Sequence, residues 1–398
     1  MKGGRKLGAL WGLALALSLL LGVPALGAQE GEPGTGQELE QEMEALGLEQ
    51  EAEEIQQFLD RELNQGTGES FSFKALAGAL LRGDLGGALG QAGLGLRNSL
   101  MPEVEKGGRL MAQVAVIAMA GALFSHFSSV FKGGQISETG FFVAYLLMIL
   151  CLGAAFFQSL SVASQALNQI LEFMRLLMPA YFIAVAFAGG SVSAVALYEA
   201  MMAAVTGVQW VCAGLLLPAV RVYGLFVLAG HLAKEDVLSK FRELLEQAAG
   251  WALKTLMGLV LGFHVIQGMV LPYADSAGQA GLRRIVEMIP GIGAGAGAQA
   301  QFLLGSGVLI KNTAGAAALV VLVILTAVPA AKLAFLMVLC QLAAALMEPV
   351  CDKRMVACVA GISRANRLLL RIVAASLMLF GIAIAITCAA TNVNYYTA

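Results

Sequence analysis

The feature that most constrains this chain is a succession of apolar runs, each about as long as a membrane crossing. A helix crosses the hydrocarbon core of a bilayer with about 20 mostly apolar residues. Seven runs reach this length, and a weaker eighth run, rich in Gly and Ala, covers residues 291–310. The seven runs are 110–131, 141–163, 181–200, 205–230, 251–272, 314–341 and 368–390. The sequence therefore predicts an all-α, polytopic membrane protein with seven or eight transmembrane helices.

The composition excludes several classes of soluble protein. Of the 398 residues, 58% are apolar and only 13% are charged, whereas soluble domains carry about 25% charged residues. An ordinary cytosolic enzyme, a disordered chain and a nucleic-acid-binding domain are therefore excluded.

The N-terminal region has the pattern of an exported segment. Basic residues precede an apolar stretch at 7–23, and residues 25–27 supply the small side chains that a signal peptidase reads. We expect cleavage near residues 27–28, with an uncleaved anchor helix as the alternative. Residues 29–70 then hold 13 Asp and Glu against one basic residue. Within 37–64, apolar residues such as Ile55, Phe58 and Leu59 recur at helical spacing, which predicts amphipathic helices in an acidic, exported arm.

Four prolines indicate an internal duplication with an offset of 111 residues. Pro179 and Pro290 each close an amphipathic stretch, and Pro218 and Pro329 follow 39 residues later in each copy. Three spans in each copy would invert the second copy relative to the first. If the middle segment of each copy only dips into the membrane and returns, the repeats are parallel. The sequence leaves both orientations open.

These observations divide the chain into six segments. They are a signal peptide at 1–27, an exported acidic region at 28–108, a first membrane helix and loop at 109–140, a first membrane repeat with an amphipathic helix at 141–250, a second membrane repeat with a basic loop at 251–367, and a last membrane helix and short tail at 368–398.

Counting eight spans places Arg175 and the amphipathic segment 231–250 outside, and the basic loop 353–367 inside. The excess of basic residues is then on the inner side, as the positive-inside rule requires.

Two cations within apolar segments are the candidate functional residues. Arg221 and Lys332 each lie three residues after a matched proline, Pro218 and Pro329. A cation at bilayer depth costs about 2.5–3.5 kcal/mol on insertion scales, so it is paired, faces water or reaches the headgroups. The functional interpretation is a symmetry-related pair that faces an internal cavity or an oligomer interface. The alternative is that both side chains extend to the headgroups or cap a proline kink.

Motifs for chemistry are absent from the sequence. The six cysteines form no CxxC pair and have no nearby histidine, so neither a metal site nor a disulfide framework is expected. The Gly-rich stretch 290–298 lacks the preceding strand and the following Lys-Ser/Thr of a phosphate-binding loop. We therefore expect no enzyme, no cofactor and no nucleic-acid partner.

The order of segments along the whole chain resembles that of the stage III sporulation protein AE family of endospore-forming bacteria. The resemblance begins with the signal peptide and the acidic arm, and continues from Asn98 onward. It is carried by segments 141–157 and 173–179, the span that contains Pro218 with the helix 234–250, and segments 283–291 and 305–315.

The resemblance implies a multi-pass protein of the mother-cell membrane that engulfs the forespore. It further implies a permease-like subunit of a multiprotein channel or secretion-like complex, required for sporulation, with the other proteins of that complex as partners. A homo-oligomer is a further option. From the residues alone, a stand-alone secondary transporter and a membrane-anchored scaffold remain alternatives.

Overall fold

The computed structural model describes residues 49–62, 72–73, 76, 112, 116, 134–187, 191–230, 238–287, 293–349 and 351–390, and nearly all of them are helical. These ranges contain no strand. The helices are α1 (Glu49–Glu62), α2 (Gly134–Phe187), α3 (Ser191–Val211), a short π-helix (Cys212–Leu216), α4 (Leu217–Gly230), α5 (Ser239–Glu287), α6 (Gly293–Met347) and α7 (Lys353–Ala390).

Five stretches of these helices are long and apolar enough to cross a membrane. They are Tyr145–Ala186, Ala194–Gly230, Ser239–Gln267, Gly307–Met347 and Lys353–Ala389. The predicted all-α membrane architecture is therefore confirmed, whereas the predicted number of seven or eight spans is not. The signal peptide, most of the acidic arm and all of the expected first span, 110–131, except residues 112 and 116 lie outside the described residues.

The predicted span 181–200 is not a single helix, because α2 ends at Phe187 and α3 begins at Ser191. The run 141–163 and the start of 181–200 instead belong to the same 54-residue helix, α2. Residues 164–180 join them because they are rich in Leu, Met, Gln and Ala, which favour helix. The expected segment boundaries after 140, 250 and 367 likewise fall inside α2, α5 and α7.

Helix α2 packs antiparallel to the continuous α3–π–α4 helix. Near one end, the Tyr145 hydroxyl donates a hydrogen bond to the Leu228 carbonyl at 3.2 Å. Farther along, the Arg175 guanidinium donates to Gln209 Oε1 at 2.5 Å. Rising residue numbers on α2 meet falling numbers on its partner, so the two helices run in opposite directions.

Helix α7 runs parallel to α2. Tyr145 lies beside Cys358 near the start of both helices, and the Tyr181 hydroxyl lies 2.9 Å from Cys388 Sγ near their ends. Apolar side chains bury this contact, and α7 also packs against α4, α5 and α6. It is therefore the helix around which the described bundle is assembled.

Helix α6 runs antiparallel to α7. Ser363 Oγ of α7 donates to the Met337 carbonyl at 2.8 Å, while Gly315 lies against Cys388 at the other end. This contact is so close that a Cβ at Gly315 would overlap the sulfur.

The starts of α5 and α7 lie at the same end of the bundle. Phe241 of α5 packs against Phe226 of α4, and Arg242 and Arg354 both lie within electrostatic range of Tyr145. The eight-span topology puts 231–250 and 353–367 on opposite sides, so the structure differs from it. The reason is that residues 293–347 form one helix, α6, where two spans were expected.

A widened turn precedes Pro218. Proline lacks an N–H group and its ring clashes with the carbonyl four residues earlier, so an ordinary α-turn is strained there. The chain forms a π-helix at Cys212–Leu216, in which the Leu217 N–H donates to the Cys212 carbonyl. This five-residue spacing lets the helix continue through the proline.

Candidate functional site: a polar stripe on helix α2

One face of α2 carries a row of exposed polar side chains. Its members are spaced alternately by three and four residues, which places them on one helix face. They are Gln158, Ser161, Gln165, Asn168, Glu172 and Arg175. We call this row the polar stripe. From end to end it extends about 25 Å, close to the roughly 30 Å thickness of a bilayer core.

The charged end of the polar stripe is held by neighbouring helices. Glu172 lies 3.8 Å from the Arg61 guanidinium of α1, with their side chains 52% and 65% exposed. Arg175 binds Gln209 of α3, and Gln169, beside the stripe, donates to Glu62 at 2.5 Å. The carboxylate and the guanidinium are therefore oriented but still solvent-accessible.

Helix α1 docks beside the polar stripe through its apolar face. Ile55, Phe58 and Leu59 are buried, and the Phe58 and Phe173 rings lie 6.3 Å apart between centroids. The amphipathic helix that the spacing predicts in this region is confirmed. Its acidic face stays exposed, so α1 brings carboxylates next to the stripe.

The neighbouring helices have uncharged stretches that end at basic residues. These stretches are residues 200–220 of α3–α4, 312–331 of α6 and 372–390 of α7, each about one bilayer crossing long. They end at Arg221, Lys332 and Arg371. We call these three residues the basic belt.

Contacts between helices place the members of the basic belt at about the same level. The Arg221 guanidinium lies 5.9 Å from the Phe157 ring centroid, beside the start of the polar stripe. The Met337–Ser363 contact joins α6 to α7. Lys332 and Arg371 lie about one to two turns beyond that contact, in the same direction along the bundle.

The polar stripe therefore lies at the depth of its neighbours' uncharged stretches. Arg175 binds Gln209, which is near the middle of the uncharged stretch 200–220. A carboxylate or guanidinium is strongly disfavoured against lipid at this depth, and in known membrane proteins it faces water or a partner. Glu172 and Arg175 thus require an aqueous or protein environment on this side of α2.

The candidate residues from the sequence are distributed over several helices. Pro179 continues the polar stripe by one turn and is exposed, and Pro329 lies inside α6. Arg221 is exposed and Lys332 is half-buried. Pro290 lies outside the described residues. Helix α4 packs on α2, α5 and α7, whereas α6 packs on α2 and α7, so within the described chain the packing does not bring Arg221 and Lys332 together.

Two features escaped the sequence analysis. Arg175 was expected in an outer loop, and the structure places it inside α2. The three-and-four spacing from Gln158 to Arg175 was the available signal. Lys311 is fully buried in α6 beside Cys388 of α7, and no local pattern marks it, because its burial depends on a helix that is distant in sequence.

The described residues hold no group of three or more His, Cys, Asp or Glu side chains arranged to bind a metal ion. Burial raises the pKa of the Cys351 thiol at the α6–α7 junction, which makes it a weaker nucleophile at neutral pH.

Helical packing, apolar outer faces and uncharged stretches of bilayer length define an all-helical, polytopic membrane protein. The chain matches the family model described as Stage III sporulation protein AE over residues 71–391, and it belongs to this family. The Stage III sporulation protein AE of Bacillus subtilis (strain 168) is 21% identical to it over 266 residues, which is 67% of each chain. No solved structure matches the chain.

Proposed function

We propose that this protein is a polytopic membrane subunit of a multiprotein channel or secretion-like complex at the boundary between mother cell and forespore, required for sporulation. The polar stripe of α2 is the observation that carries the proposal. It offers a path of hydrogen-bonding side chains nearly as long as the bilayer core is thick, and it includes a carboxylate and a guanidinium within the depth of its neighbours' uncharged stretches.

The position of the polar stripe supports a complex rather than a single-chain transporter. A secondary transporter encloses its site near the centre of its own helices. The polar stripe instead lies on the exposed side of α2, with α1 along it. A closed aqueous path then requires further chains around it, either other proteins of the complex or further copies of this one.

The distribution of basic residues supports one orientation of this subunit in the membrane. Basic residues collect at the end where α5 and α7 begin, and they include Lys240, Arg242, Lys353 and Arg354. By the positive-inside rule this end faces the cytoplasm of the mother cell. With the predicted crossing at 110–131, the acidic N-terminal region is then extracytoplasmic, as its signal-like leader implies, and α1 reaches from that side onto α2 beside the polar stripe.

The helix order supports parallel repeats if the chain is duplicated. Helix α2 is followed by its antiparallel partner α3–α4, and α5 by the antiparallel α6. Pro218 and Pro329 each lie in the second helix of a pair. Two crossings in each copy return the chain to its starting side, so the second copy has the same orientation as the first.

Water accessibility of the polar stripe tests the proposal. Gln165→Cys and Trp210→Cys are introduced separately, and a charged, membrane-impermeant thiol reagent is applied to membranes from sporulating cells. Trp210 is the matched control because it is 71% exposed, beside Gln209 in the same depth range, but on another face. Labelling is measured as the increase over the parent chain with its six native cysteines.

We expect Gln165→Cys to react about tenfold faster than Trp210→Cys, because only a hydrated thiol ionises readily. Labelling of Gln165→Cys in cells should also lower the yield of spores. Equal, slow labelling at both positions would overturn the aqueous path. Uptake of a solute by the purified single chain in liposomes would favour the stand-alone transporter instead.

A further inference from the structure

Three arginines from two helices converge near the basic end of the bundle. Helices α4, α5 and α7 meet here, because a Cβ at Gly361 of α7 would overlap Val227 of α4 and Phe241 of α5 packs on Phe226 of α4. Arg242 follows Phe241, Arg364 and Arg367 lie about one and two turns beyond Gly361, and Tyr223 lies one turn before Val227. All three arginines are within electrostatic range of Tyr223, a side chain that is 2% exposed. We call these three arginines the arginine cluster. Among the described residues, Glu246 is the carboxylate that shares this range, so arginines outnumber carboxylates there.

The excess positive charge belongs to Arg364 and Arg367. In the described helices neither forms an ion pair with a carboxylate. Arg364 is exposed and Arg367 half-buried, so both guanidinium groups are accessible from outside the bundle. Like charges brought together by folding are destabilising unless an anion joins them.

The arginine cluster lies where a lipid headgroup would be. Arg367 is one turn before Arg371, the residue of the basic belt after which α7 is uncharged to its end. Trp251 of α5 is 71% exposed at this end, and tryptophan is enriched at the membrane–water interface. An anion at this position is therefore next to both the headgroup layer and the acyl chains.

We propose that the arginine cluster, with Tyr223, binds the phosphate of an anionic phospholipid at the junction of α4, α5 and α7. Guanidinium groups bind phosphate oxygens in a bidentate manner, and the Tyr223 hydroxyl can donate one further hydrogen bond. Basic sites between membrane helices are a known means of retaining anionic lipids. This inference is independent of the proposed channel function.

The test measures lipid binding by the full chain, purified in detergent and exchanged into nanodiscs. Discs made of phosphatidylcholine alone are compared with discs that also contain phosphatidylglycerol or cardiolipin, and retained lipids are counted by native mass spectrometry. The test variant is R364Q/R367Q. The matched control is K240Q/K353Q, which removes two exposed charges from the same end of the bundle.

We expect anionic lipids to be retained and phosphatidylcholine not. At about 1 kcal/mol for each arginine near the membrane surface, R364Q/R367Q should weaken retention about thirtyfold. The control pair should change it much less. R364K/R367K should restore most of the binding, which separates loss of charge from misfolding.

Three outcomes would overturn the inference. They are equal retention of phosphatidylcholine, equal losses in the test and control pairs, and full displacement of the lipid by millimolar glycerol phosphate. The last outcome would assign the arginine cluster to a soluble phosphate compound rather than to a lipid.

Discussion

Helices α2 and α7 run parallel and side by side, but they distribute their charges in opposite ways. Glu172 and Leu379 each lie nine residues before the Tyr181–Cys388 contact, so they are at the same level. At that level α2 presents a half-exposed carboxylate and α7 a leucine with no exposed surface. The charges of α7 lie below its uncharged stretch, as a membrane requires, whereas the charges of α2 lie within the membrane depth. The difference shows that α7 is built for packing and α2 for contact with water or a partner.

The largest effect on folding is expected when a charged side chain, as found at the same level of α2, is placed in α7. Leu379→Glu buries an unpaired carboxylate, which should cost about 3–5 kcal/mol and prevent accumulation of folded protein. The matched change Asn168→Glu, on the polar stripe, should leave folding nearly unchanged. Gel filtration in detergent and thermal unfolding measure both. Similar tolerance at the two positions would remove the distinction between the helices.

A somewhat smaller effect is expected when α1 loses its anchor on α2. Phe58→Ala removes the ring that packs on Phe173, and loss of a buried phenylalanine costs about 3 kcal/mol. Hydrogen exchange across residues 49–62 should then accelerate, while exchange in α7 stays slow. Glu54→Ala, at an exposed position of the same helix, is the control and should leave exchange unchanged.

Because α7 packs tightly on α4, adding a methyl group at their contact is expected to have an intermediate effect on stability. A Cβ at Gly361 would overlap Val227, so Gly361→Ala should destabilise the protein by about 1–3 kcal/mol. Adding Val227→Ala should recover part of this loss. At Gly258 of α5 a Cβ has nothing within 4 Å, and Gly258→Ala should be neutral or slightly stabilising because alanine favours helix. Equal melting temperatures of the two alanine variants would contradict the close approach.

The smallest effect is expected for the Arg61–Glu172 ion pair. Both side chains are more than half exposed, and pairs of this kind contribute about 0–1 kcal/mol. A double-mutant cycle of Arg61→Ala and Glu172→Ala should give a coupling in this range that falls as salt is added. A coupling above about 2 kcal/mol would mean that this part of the polar stripe is shielded from water.

Sequence patterns were sufficient for the fold class, the family and the amphipathic character of α1. They were insufficient for the number of spans, because apolar length does not show where a helix ends. Residues 164–180 are polar enough to suggest a loop, yet their helix propensity and the burial of Phe173 and Met174 keep them helical. Arg175 was therefore misplaced, and the polar stripe was missed. The environment of Lys311 could not be derived from sequence because residues from distant helices create it.

The spacing of the polar stripe has a mechanical consequence. A pattern that alternates three and four residues repeats every seven, slightly fewer per turn than the roughly 3.6 of a straight helix. Several copies of α2 that all point this row at a common axis must therefore coil around one another with a left-handed twist. The opening between such helices widens or narrows as their tilt changes. The diameter of the opening in such an assembly can therefore change while every backbone hydrogen bond remains intact.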